Sequence, residues 1–318
     1  MPGKPFRFGV IVETFESAAQ LADLAREAEA LGYESLLIRD HLADDYFGPQ
    51  FAPLVTLSWL AAQTTKLRLG TLVIDNDFRH PAVLAKEFVT LDQLSGGRVE
   101  LGIGAGWLRH DYDPTGIPYD SNPIRIDRLE ESLQILKACF SGAPVSFSGA
   151  HYHLENYCHF PEPVHAGGPP ILIGAGKPRM LRLAGRYADI VNLLTISVSA
   201  GHYEDDIEAR RTAAVRARID QIAIGAGDRF AGIELQSIPE IVITGDRNGA
   251  LDDIARGHEW SGVDLKAVAD MPAVFAGSVD GICEEMRARR ADLGISYYVM
   301  NDRAMRTCAP IVQTLRGM

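Results

Sequence analysis

An aspartate and a histidine stand side by side directly after an apolar run that is typical of a buried strand. The run is Ser35 to Ile38, and Arg39, Asp40 and His41 follow it. Histidine exchanges a proton near neutral pH, and a neighbouring aspartate can orient its ring or bind a ligand. A histidine after a strand is more often an ordinary loop residue. Asp40 and His41 are therefore candidate site residues, with His41 the candidate catalytic group.

Three alternating glycines, Gly102, Gly104 and Gly106, precede Trp107 at the end of another apolar run. A dinucleotide-binding GxGxxG loop needs a glycine where Trp107 stands, so the spacing argues against that loop. Small residues in a strand let another backbone or a ligand approach closely, and they can also simply ease packing. Both interpretations place a large aromatic residue at the mouth of a strand.

A second small-residue segment, Gly174-Ala175-Gly176-Lys177, lies between a short apolar run and Pro178, where a helix is predicted to begin. The spacing differs from GxxxxGK[ST], so it is not a phosphate-binding loop of that type. Free backbone N–H groups at a helix N-terminus still favour a phosphate, and Lys177 adds positive charge. The alternative is a plain strand-to-helix turn.

Other polar clusters carry weaker indications. His151 and His153 would face the same way on a strand of a predicted hairpin, Val145 to Leu154, but carboxylate or cysteine ligands at the usual spacing are missing. We therefore expect no metal. No GxSxG nucleophile motif is present. The arginine-rich stretch Arg210–Arg218 is most simply the solvated face of a helix from about His202 to Ala223.

Strand-like and helix-like segments alternate along the chain, and this alternation predicts parallel strands with right-handed crossovers. Eight such units can close into a (β/α)8 barrel, here with insertions after strands four and seven in one domain, 1–318. An open doubly wound sheet is the alternative, but no glycine loop follows the first strand. The predicted strands are Phe6–Val12, Ser35–Ile38, Leu67–Ile74, the run ending at Gly102–Gly106, Ile171–Ile173, Ala188–Leu193, Glu240–Thr244 and Ser296–Met300.

Composition favours a protein that acts on small molecules. The chain has 318 residues, 47% of them hydrophobic, and a formal net charge of -11. An acidic protein lacks the basic face that nucleic acids and anionic membranes require, so we expect neither as a partner. We expect no signal peptide, and no apolar run in the sequence is long enough to span a membrane. The scattered cysteines form no CxxC pair, and we expect a cytoplasmic protein with reduced thiols.

Taken together, the motifs resemble those of the luciferase-like monooxygenase superfamily, in the branch of oxidoreductases that use the deazaflavin coenzyme F420. The resemblance covers about Phe6 to Met300 in the family's order. The matching segments are Asp40-His41, LGTLV, RHP, LDQLSGGR, LGIGAGW, ILIGAGKPRMLRLAGRYADIVN and FAGSVDGICEEM. It implies a (β/α)8 barrel with the flavin or deazaflavin in a cleft at the carboxyl-terminal strand ends.

Site residues carry over position by position. The resemblance implies a non-prolyl cis peptide between Leu72 and Val73, forming a bulge behind the cofactor ring. His41 becomes a candidate proton donor, and the implied cofactor-binding residues are Asp40, Leu72, Val73, Asn76, Trp107, Gly174, Ala175, Gly176 and Lys177. Two departures matter: Trp107 replaces the acidic residue of sugar-phosphate dehydrogenases of this type, and Ile74-Asp75 replaces the threonine and proline of many relatives.

The resemblance implies hydride transfer between coenzyme F420 and a small organic substrate. One alternative is an FMN-dependent monooxygenase supplied with reduced flavin by a separate reductase, and another is a non-catalytic flavin- or deazaflavin-binding barrel. We expect a homodimer. The segments 109–119 and 246–277 are expected to roof the cleft, and neither matches a pattern that identifies the substrate.

Overall fold

The computed structural model describes residues 4–13, 15–43, 47–195, 197–199, 202–260 and 262–318. The strands are β1 (Arg7–Ile11), β2 (Ser35–Ile38), β3 (Arg68–Thr71), β4 (Ile74–Asp75), β5 (Val99–Gly104), β6 (Val145–Ser148), β7 (His153–Tyr157), β8 (Ile171–Ala175), β9 (Ile190–Leu193), β10 (Ser197–Ser199), β11 (His202–Glu204), β12 (Glu234–Ser237), β13 (Glu240–Ile243), β14 (Val274–Gly277) and β15 (Ile295–Asn301). The helices are α1 (Ala18–Leu31), α2 (Pro53–Ala61), α3 (Pro81–Ser95), α4 (Arg109–Tyr112), α5 (Asn122–Phe140), α6 (Pro178–Tyr187), α7 (Ile207–Arg210), α8 (Thr212–Ala226), α9 (Arg247–Gly257), α10 (Leu265–Ala269), α11 (Val279–Leu293) and α12 (Met305–Leu315).

A ring of parallel strands forms the centre of the molecule. The order around the ring is β1, β2, β3, β5, β8, β9, β12 and β15, and β15 pairs with β1 to close it. The short strand β4 continues β3 and pairs with β5. Because the ring is closed, the predicted (β/α)8 barrel is confirmed and the open sheet is excluded. All carboxyl-terminal strand ends consequently meet at one mouth.

Local signals in the sequence set the ends of the first helix. The Ser17 side chain accepts a hydrogen bond from the backbone N–H of Gln20 at 3.2 Å, which satisfies a donor at the start of α1. Gly32 ends the helix with a φ of 90°, a conformation that costs glycine least. Leu21, Ala25 and Ala28 face the barrel and are fully buried. Residues at both ends of α1 therefore fix its bounds, and its apolar face packs on the barrel.

The predicted seventh strand is wrong. Residues 240–243 form β13, which pairs with β14 in a separate two-stranded sheet outside the barrel. The seventh barrel strand is β12, whose residues Glu234, Gln236 and Ser237 are polar yet buried. Gln236 accepts a hydrogen bond from the Asn192 side chain at 2.9 Å, so its amide oxygen is satisfied inside the barrel. Three of the four residues of β12 are polar, so the strand shows no apolar run and sequence periodicity misses it.

Additional elements interrupt the alternation of strand and helix along the chain. The predicted insertions are confirmed: α4 and the β6–β7 hairpin lie on either side of the barrel helix α5, and β13, α9, α10 and β14 follow β12. A third insertion, the β10–β11 pair, follows β9. The helix predicted from about residue 202 therefore begins later, as α7 and then α8. No helix in the described part of the chain is long and apolar enough to cross a membrane.

Candidate active site

A cleft of about 300 Å³ opens at the carboxyl-terminal mouth of the barrel. Strand ends and the first residues after them supply most of its lining, which is where (β/α)8 enzymes carry their chemistry. Every predicted site residue except Asn76 lines it: Asp40, His41, Leu72, Val73, Trp107, Gly174, Ala175, Gly176 and Lys177. The structure thus brings together segments that are more than one hundred residues apart in the chain.

The floor of the cleft is built on the peptide bond between Leu72 and Val73. This bond is cis, as the family resemblance implied, and it separates β3 from β4. Val73 packs against the barrel interior. A Cβ on Gly104 would lie 2.8 Å from the Val73 side chain, and one on Gly174 would lie 4.0 Å from it. Glycine at these two positions keeps the floor open around Val73.

His41 is held by an aspartate that the sequence did not indicate. Its Nδ1 lies 2.7 Å from Asp111 Oδ2. The other carboxylate oxygen of Asp111 accepts hydrogen bonds from the backbone N–H groups of Leu42 and Ala43, both at 2.8 Å. Asp111 lies in the short helix α4 and is buried. The hypothesis that Asp40 orients His41 is therefore wrong, because Asp111 fills that role.

The Asp111 contact fixes which nitrogen of His41 is available for chemistry. Burial alone would raise the pKa of Asp111, but the hydrogen bonds from His41, Ala43 and Leu42 outweigh it and lower the pKa. An ionised carboxylate only accepts hydrogen bonds, so Nδ1 of His41 carries the proton. In the neutral ring Nε2 then holds a lone pair. Nε2 has no hydrogen-bond partner within the described residues, so it can bind a ligand.

Asp40 is buried and holds the two strand ends together. Its carboxylate accepts hydrogen bonds from the Arg79 guanidinium at 2.6 and 3.3 Å. The backbone N–H of Asp75 donates to it at 3.2 Å. Its charge is therefore balanced within the protein, and the side chain stabilises the wall of the cleft between β2 and β4.

Asp75 lines the cleft beside a tyrosine. The Tyr112 hydroxyl donates to Asp75 Oδ2 at 2.6 Å, and the backbone N–H of Asp77 donates to Oδ1 at 2.9 Å. Burial nevertheless raises the pKa of Asp75 to about 7, because these two bonds offset only part of the desolvation. A Cβ on Gly106 would lie 1.9 Å from the Tyr112 hydroxyl, so glycine is required above this pair.

The predicted phosphate segment lies at the start of α6, where Lys177 is the residue before the first turn. The Gly176 carbonyl accepts a hydrogen bond from Arg218 Nε at 3.3 Å. Arg218 also donates to the carbonyl of Ala209, and burial lowers its pKa. The arginine-rich stretch is therefore more than a solvated face, since Arg218 turns inward and buttresses this segment.

Asn76 lies outside the cleft. It is buried, and its side-chain amide lies 3.5 Å from the Tyr152 hydroxyl of the segment between β6 and β7. Asn76 begins a short 3-10 turn over residues 76–78. Its amide oxygen has no partner within the described structure.

Aromatic side chains surround His41. The Phe47 ring stacks on the imidazole with 5.1 Å between centroids, and Trp107 meets the imidazole edge-on at 6.1 Å. Phe47 and Trp107 contact each other at 6.5 Å. Trp107 was expected near the site from its sequence position, whereas Phe47, in the loop after β2, was not. An aromatic residue a few positions beyond Asp40-His41 was the only local signal.

The sequence matches a known protein family over most of its length. A model of the luciferase-like monooxygenase family matches residues 5–231. An F420-dependent glucose-6-phosphate dehydrogenase from Nakamurella multipartita is 37% identical over 195 residues, covering 59% of this chain and 56% of that protein. Its counterpart from Mycobacterium tuberculosis is 36% identical over 176 residues, covering 54% of this chain and 51% of that protein. The chain thus spans about half the length of the curated relatives it matches.

Solved structures share the fold over nearly the whole chain. The coenzyme F420-dependent tetrahydromethanopterin reductase from Methanopyrus kandleri has a TM-score of 0.74 at 19% identity, covering 98% of this chain and 100% of that chain. An F420-dependent secondary alcohol dehydrogenase has the same TM-score at 18% identity, covering 98% of each chain. A monooxygenase from Streptomyces bottropensis has a TM-score of 0.73 at 20% identity, covering 97% of this chain and 99% of that chain. With its closed barrel and the match over residues 5–231, the chain belongs to the luciferase-like monooxygenase family.

Proposed function

We propose that this chain is an oxidoreductase that transfers a hydride between coenzyme F420 and a small organic substrate. The observation that carries the proposal is the His41–Asp111 pair at 2.7 Å in a cleft at the barrel mouth, with Nε2 of His41 available. The names of the matching relatives support the choice of cofactor, since several of them are F420-dependent dehydrogenases.

The residues of the cleft fit a flat, phosphate-bearing cofactor. Gly104 and Gly174 leave room around Val73, and a side chain at either position would fill that space. Backbone N–H groups of Gly176 and Lys177 precede α6, where the helix dipole favours an anion. We assign the floor at Val73 to the ring and the segment Gly174–Lys177 to the phosphate. When bound, a deazaflavin supplies a two-electron hydride carrier that lacks the nitrogen with which flavin activates oxygen.

His41 manages the proton that accompanies the hydride. Nε2 accepts a proton from a substrate hydroxyl, or returns it to a carbonyl in the reverse direction. The Asp111 carboxylate stabilises the imidazolium that forms and keeps the ring in one orientation. Phe47 and Trp107 cover the imidazole and exclude water from this exchange. Correct placement of these groups supplies much of the rate enhancement.

An FMN-dependent monooxygenase is the second candidate. The matching family model is described as a luciferase-like monooxygenase, and a monooxygenase shares the fold. That activity would require a reductase to supply reduced flavin. A non-catalytic cofactor-binding barrel is less consistent with a histidine oriented by a buried aspartate and open at Nε2. A homodimer stays a prediction, and sedimentation of the purified protein tests it.

Cofactor binding tests the proposal directly. Purified protein titrated with coenzyme F420 and with FMN, followed by fluorescence, is expected to bind F420 more tightly. Gly174→Val is expected to weaken F420 binding at least tenfold, because its added methyl groups enter the cleft. The fold should tolerate this change, since a Cβ there lies no closer than 3.9 Å to any neighbour.

Gly232→Ala is the matched control, because a Cβ at Gly232 meets nothing within 4 Å and the residue lies away from the cleft. This variant is expected to bind F420 like the wild type. Binding of FMN but not of F420 would overturn the proposed cofactor. Equal F420 affinity in the wild type and in Gly174→Val would overturn its placement in the cleft.

A further inference from the structure

We infer that the substrate is an uncharged, largely apolar alcohol, or the ketone that corresponds to it, with a ring that lies against Trp107 and Phe47. This inference rests on the proposed function and deepens it by naming the class of substrate. The side chains that form the wall around His41 support this inference. Trp107 was predicted from sequence as a cofactor contact, whereas the structure places it against the catalytic imidazole.

The wall around His41 is aromatic on two sides. Phe47 lies nearly parallel to the imidazole, at an interplanar angle of 26°, and Trp107 stands edge-on to it at 87°. Further apolar side chains continue the lining beside these rings, from Leu108, Ile126, Leu194 and Ile238. Aromatic walls bind apolar rings through burial and through edge-to-face contacts. A substrate that reaches Nε2 therefore lies against apolar surface.

Cations in the described lining of the cleft already have partners or another role. Arg39 forms an ion pair with Glu13 at 2.7 Å. Arg125 is buried and donates to the carbonyls of Ala105 and Asp120. Lys177 lies at the segment assigned to the cofactor phosphate. A phosphate on the substrate would thus be desolvated without a cation of its own, which is unfavourable.

The acidic groups of the lining are also balanced internally. Asp40 pairs with Arg79, and Asp111 accepts hydrogen bonds from His41 and two backbone N–H groups. Asp75 accepts hydrogen bonds from Tyr112 and Asp77. None of these carboxyl groups needs a positively charged substrate as a partner. An uncharged molecule consequently fits the cleft better than an ion of either sign.

Nε2 of His41 has no hydrogen-bond partner among the described residues, and it defines the reacting group of the substrate. Nε2 of His41 accepts a hydroxyl proton in the neutral ring, so the substrate presents an alcohol at this position. Oxidation breaks the carbinol C–H and O–H bonds and forms a C=O double bond. The hydrogen of the C–H bond leaves with its electron pair to the deazaflavin, and the hydroxyl proton goes to His41. In the reverse direction a ketone receives the hydride at its carbonyl carbon and the proton at its oxygen.

Calorimetric binding to the F420-loaded protein tests this inference without relying on turnover. Acetophenone, an apolar aromatic ketone, and glucose 6-phosphate, a charged sugar, are titrated separately. Acetophenone is expected to bind at least tenfold more tightly. Trp107→Ala should weaken acetophenone binding by about tenfold, the size expected for one lost aromatic contact. Trp59→Ala is the control, since Trp59 lies on α2 outside the cleft and should leave binding unchanged.

Glucose 6-phosphate binding as tightly as acetophenone would overturn the inference, as would undetectable acetophenone binding. Equal acetophenone affinities in Trp107→Ala and Trp59→Ala would overturn it too, because the aromatic wall would then contribute nothing specific. The affinity of each variant for F420, measured on the same samples, separates the two proposals. Failure to bind F420 contradicts the proposed function, whereas F420 binding with a preference for glucose 6-phosphate overturns only the substrate class.

Discussion

The two ends of the barrel both carry buried charge, but in the described structure their charged networks differ in whether they end on an atom that faces the cleft. At the amino-terminal end, Arg7 forms ion pairs with Glu100 and Glu234. Arg68 donates to the same Glu100 at 3.0 Å, and the Tyr297 hydroxyl donates to it at 3.2 Å. Burial would raise the pKa of Glu100, yet Arg7 and Arg68 together lower it.

At the carboxyl-terminal end, Asp111 is just as well satisfied, but its partner His41 is satisfied on one side only. A charged network whose members all bind one another contributes to stability and specifies the fold. A network that ends on a single open nitrogen beside a cleft can act on a ligand. Buried charges are paired at both ends of the barrel. The two networks therefore differ only in their last member, which at the carboxyl-terminal end is His41.

Removal of His41 should produce the largest effect on activity. His41→Ala is expected to lower kcat/KM by about a thousandfold, within the range for loss of a general acid–base group. The unfolding midpoint in urea should stay close to that of the wild type. His153→Ala is the control, because His153 is exposed on β7. Wild-type kcat/KM in His41→Ala would show that the open nitrogen has no catalytic role.

Glu100→Gln should lower stability and leave activity unchanged, which is the opposite of the result expected for His41→Ala. Loss of one buried charge leaves Arg7 and Arg68 poorly paired, and we expect the free energy of unfolding to fall by about 3 kcal/mol. The kcat of the folded protein should not change, because the substitution lies at the other end of the barrel. Urea denaturation and activity assays on the same preparation measure both quantities.

Glu27→Gln serves as the control for this substitution, because its partner Arg306 is mostly exposed and surface ion pairs contribute little. It should leave the urea midpoint unchanged. A large fall in kcat with Glu100→Gln would mean that the two ends of the barrel are coupled, contrary to their separate roles.

Asp111→Asn should reduce activity without removing a hydrogen bond. The amide oxygen can still accept from the N–H groups of Leu42 and Ala43, which leaves an N–H₂ group facing Nδ1 of His41. Nδ1 would then have to accept, and the proton would move to Nε2, the wrong tautomer for taking a proton. We expect kcat to fall about a hundredfold with a smaller change in KM.

The neighbouring Asp113→Asn is the matched control, because Asp113 pairs with Arg109 on the surface. Steady-state kinetics of both variants over a range of pH provide the measurement. If the two variants gave the same kcat, Asp111 would have no specific role in orienting His41.

The titration of Asp75 should have a smaller effect, which is a change in the free energy of unfolding with pH. Its pKa is raised to about 7 in the folded protein, so its contribution to stability is complete below the unfolded pKa of about 4 and is lost as the pH rises to about 7. The loss in free energy of unfolding between pH 5 and 7 is expected to be about 2 kcal/mol. Asp75→Asn should remove this slope.

Tyr112→Phe provides a second test of the pH dependence that Asp75 causes. The Tyr112 hydroxyl bond lowers the pKa of Asp75, so its removal should move the midpoint of the slope to higher pH. Urea denaturation at a series of pH values tests both variants. An identical slope in wild type and Asp75→Asn would show that Asp75 does not titrate in this range.

Motifs near strand ends could be predicted because the types and spacing of neighbouring residues are sufficient to identify them. The closed barrel followed from alternation, and the place of His41 and the cis peptide at Leu72–Val73 followed from segments that resemble the family. The spacing of the glycines over Gly102–Gly106 was enough to exclude a dinucleotide-binding loop. The structure supplies the reason for these glycines, since a Cβ on Gly102 would lie 1.8 Å from the Thr71 carbonyl oxygen.

Residues that depend on tertiary contacts could not be predicted. Asp111 lies 70 residues from His41 in the chain, and nothing local distinguishes it from Asp113, which is exposed. The strand β12 escaped notice because three of its four residues are polar although they are buried inside the barrel. Arg218 resembles its solvated neighbours in sequence, and only the fold turns it toward Gly176.

Isotope transfer tests the central claim most directly. Wild-type protein is mixed with oxidised coenzyme F420 and 1-phenylethanol that carries deuterium on the carbinol carbon, in the absence of oxygen. Mass spectrometry of the cofactor then shows where the label goes. Direct hydride transfer at the barrel mouth predicts that the reduced cofactor contains the deuterium and that His41→Ala forms it about a thousandfold more slowly. Absence of deuterium from the cofactor, or product formation only when oxygen is supplied, would contradict the account.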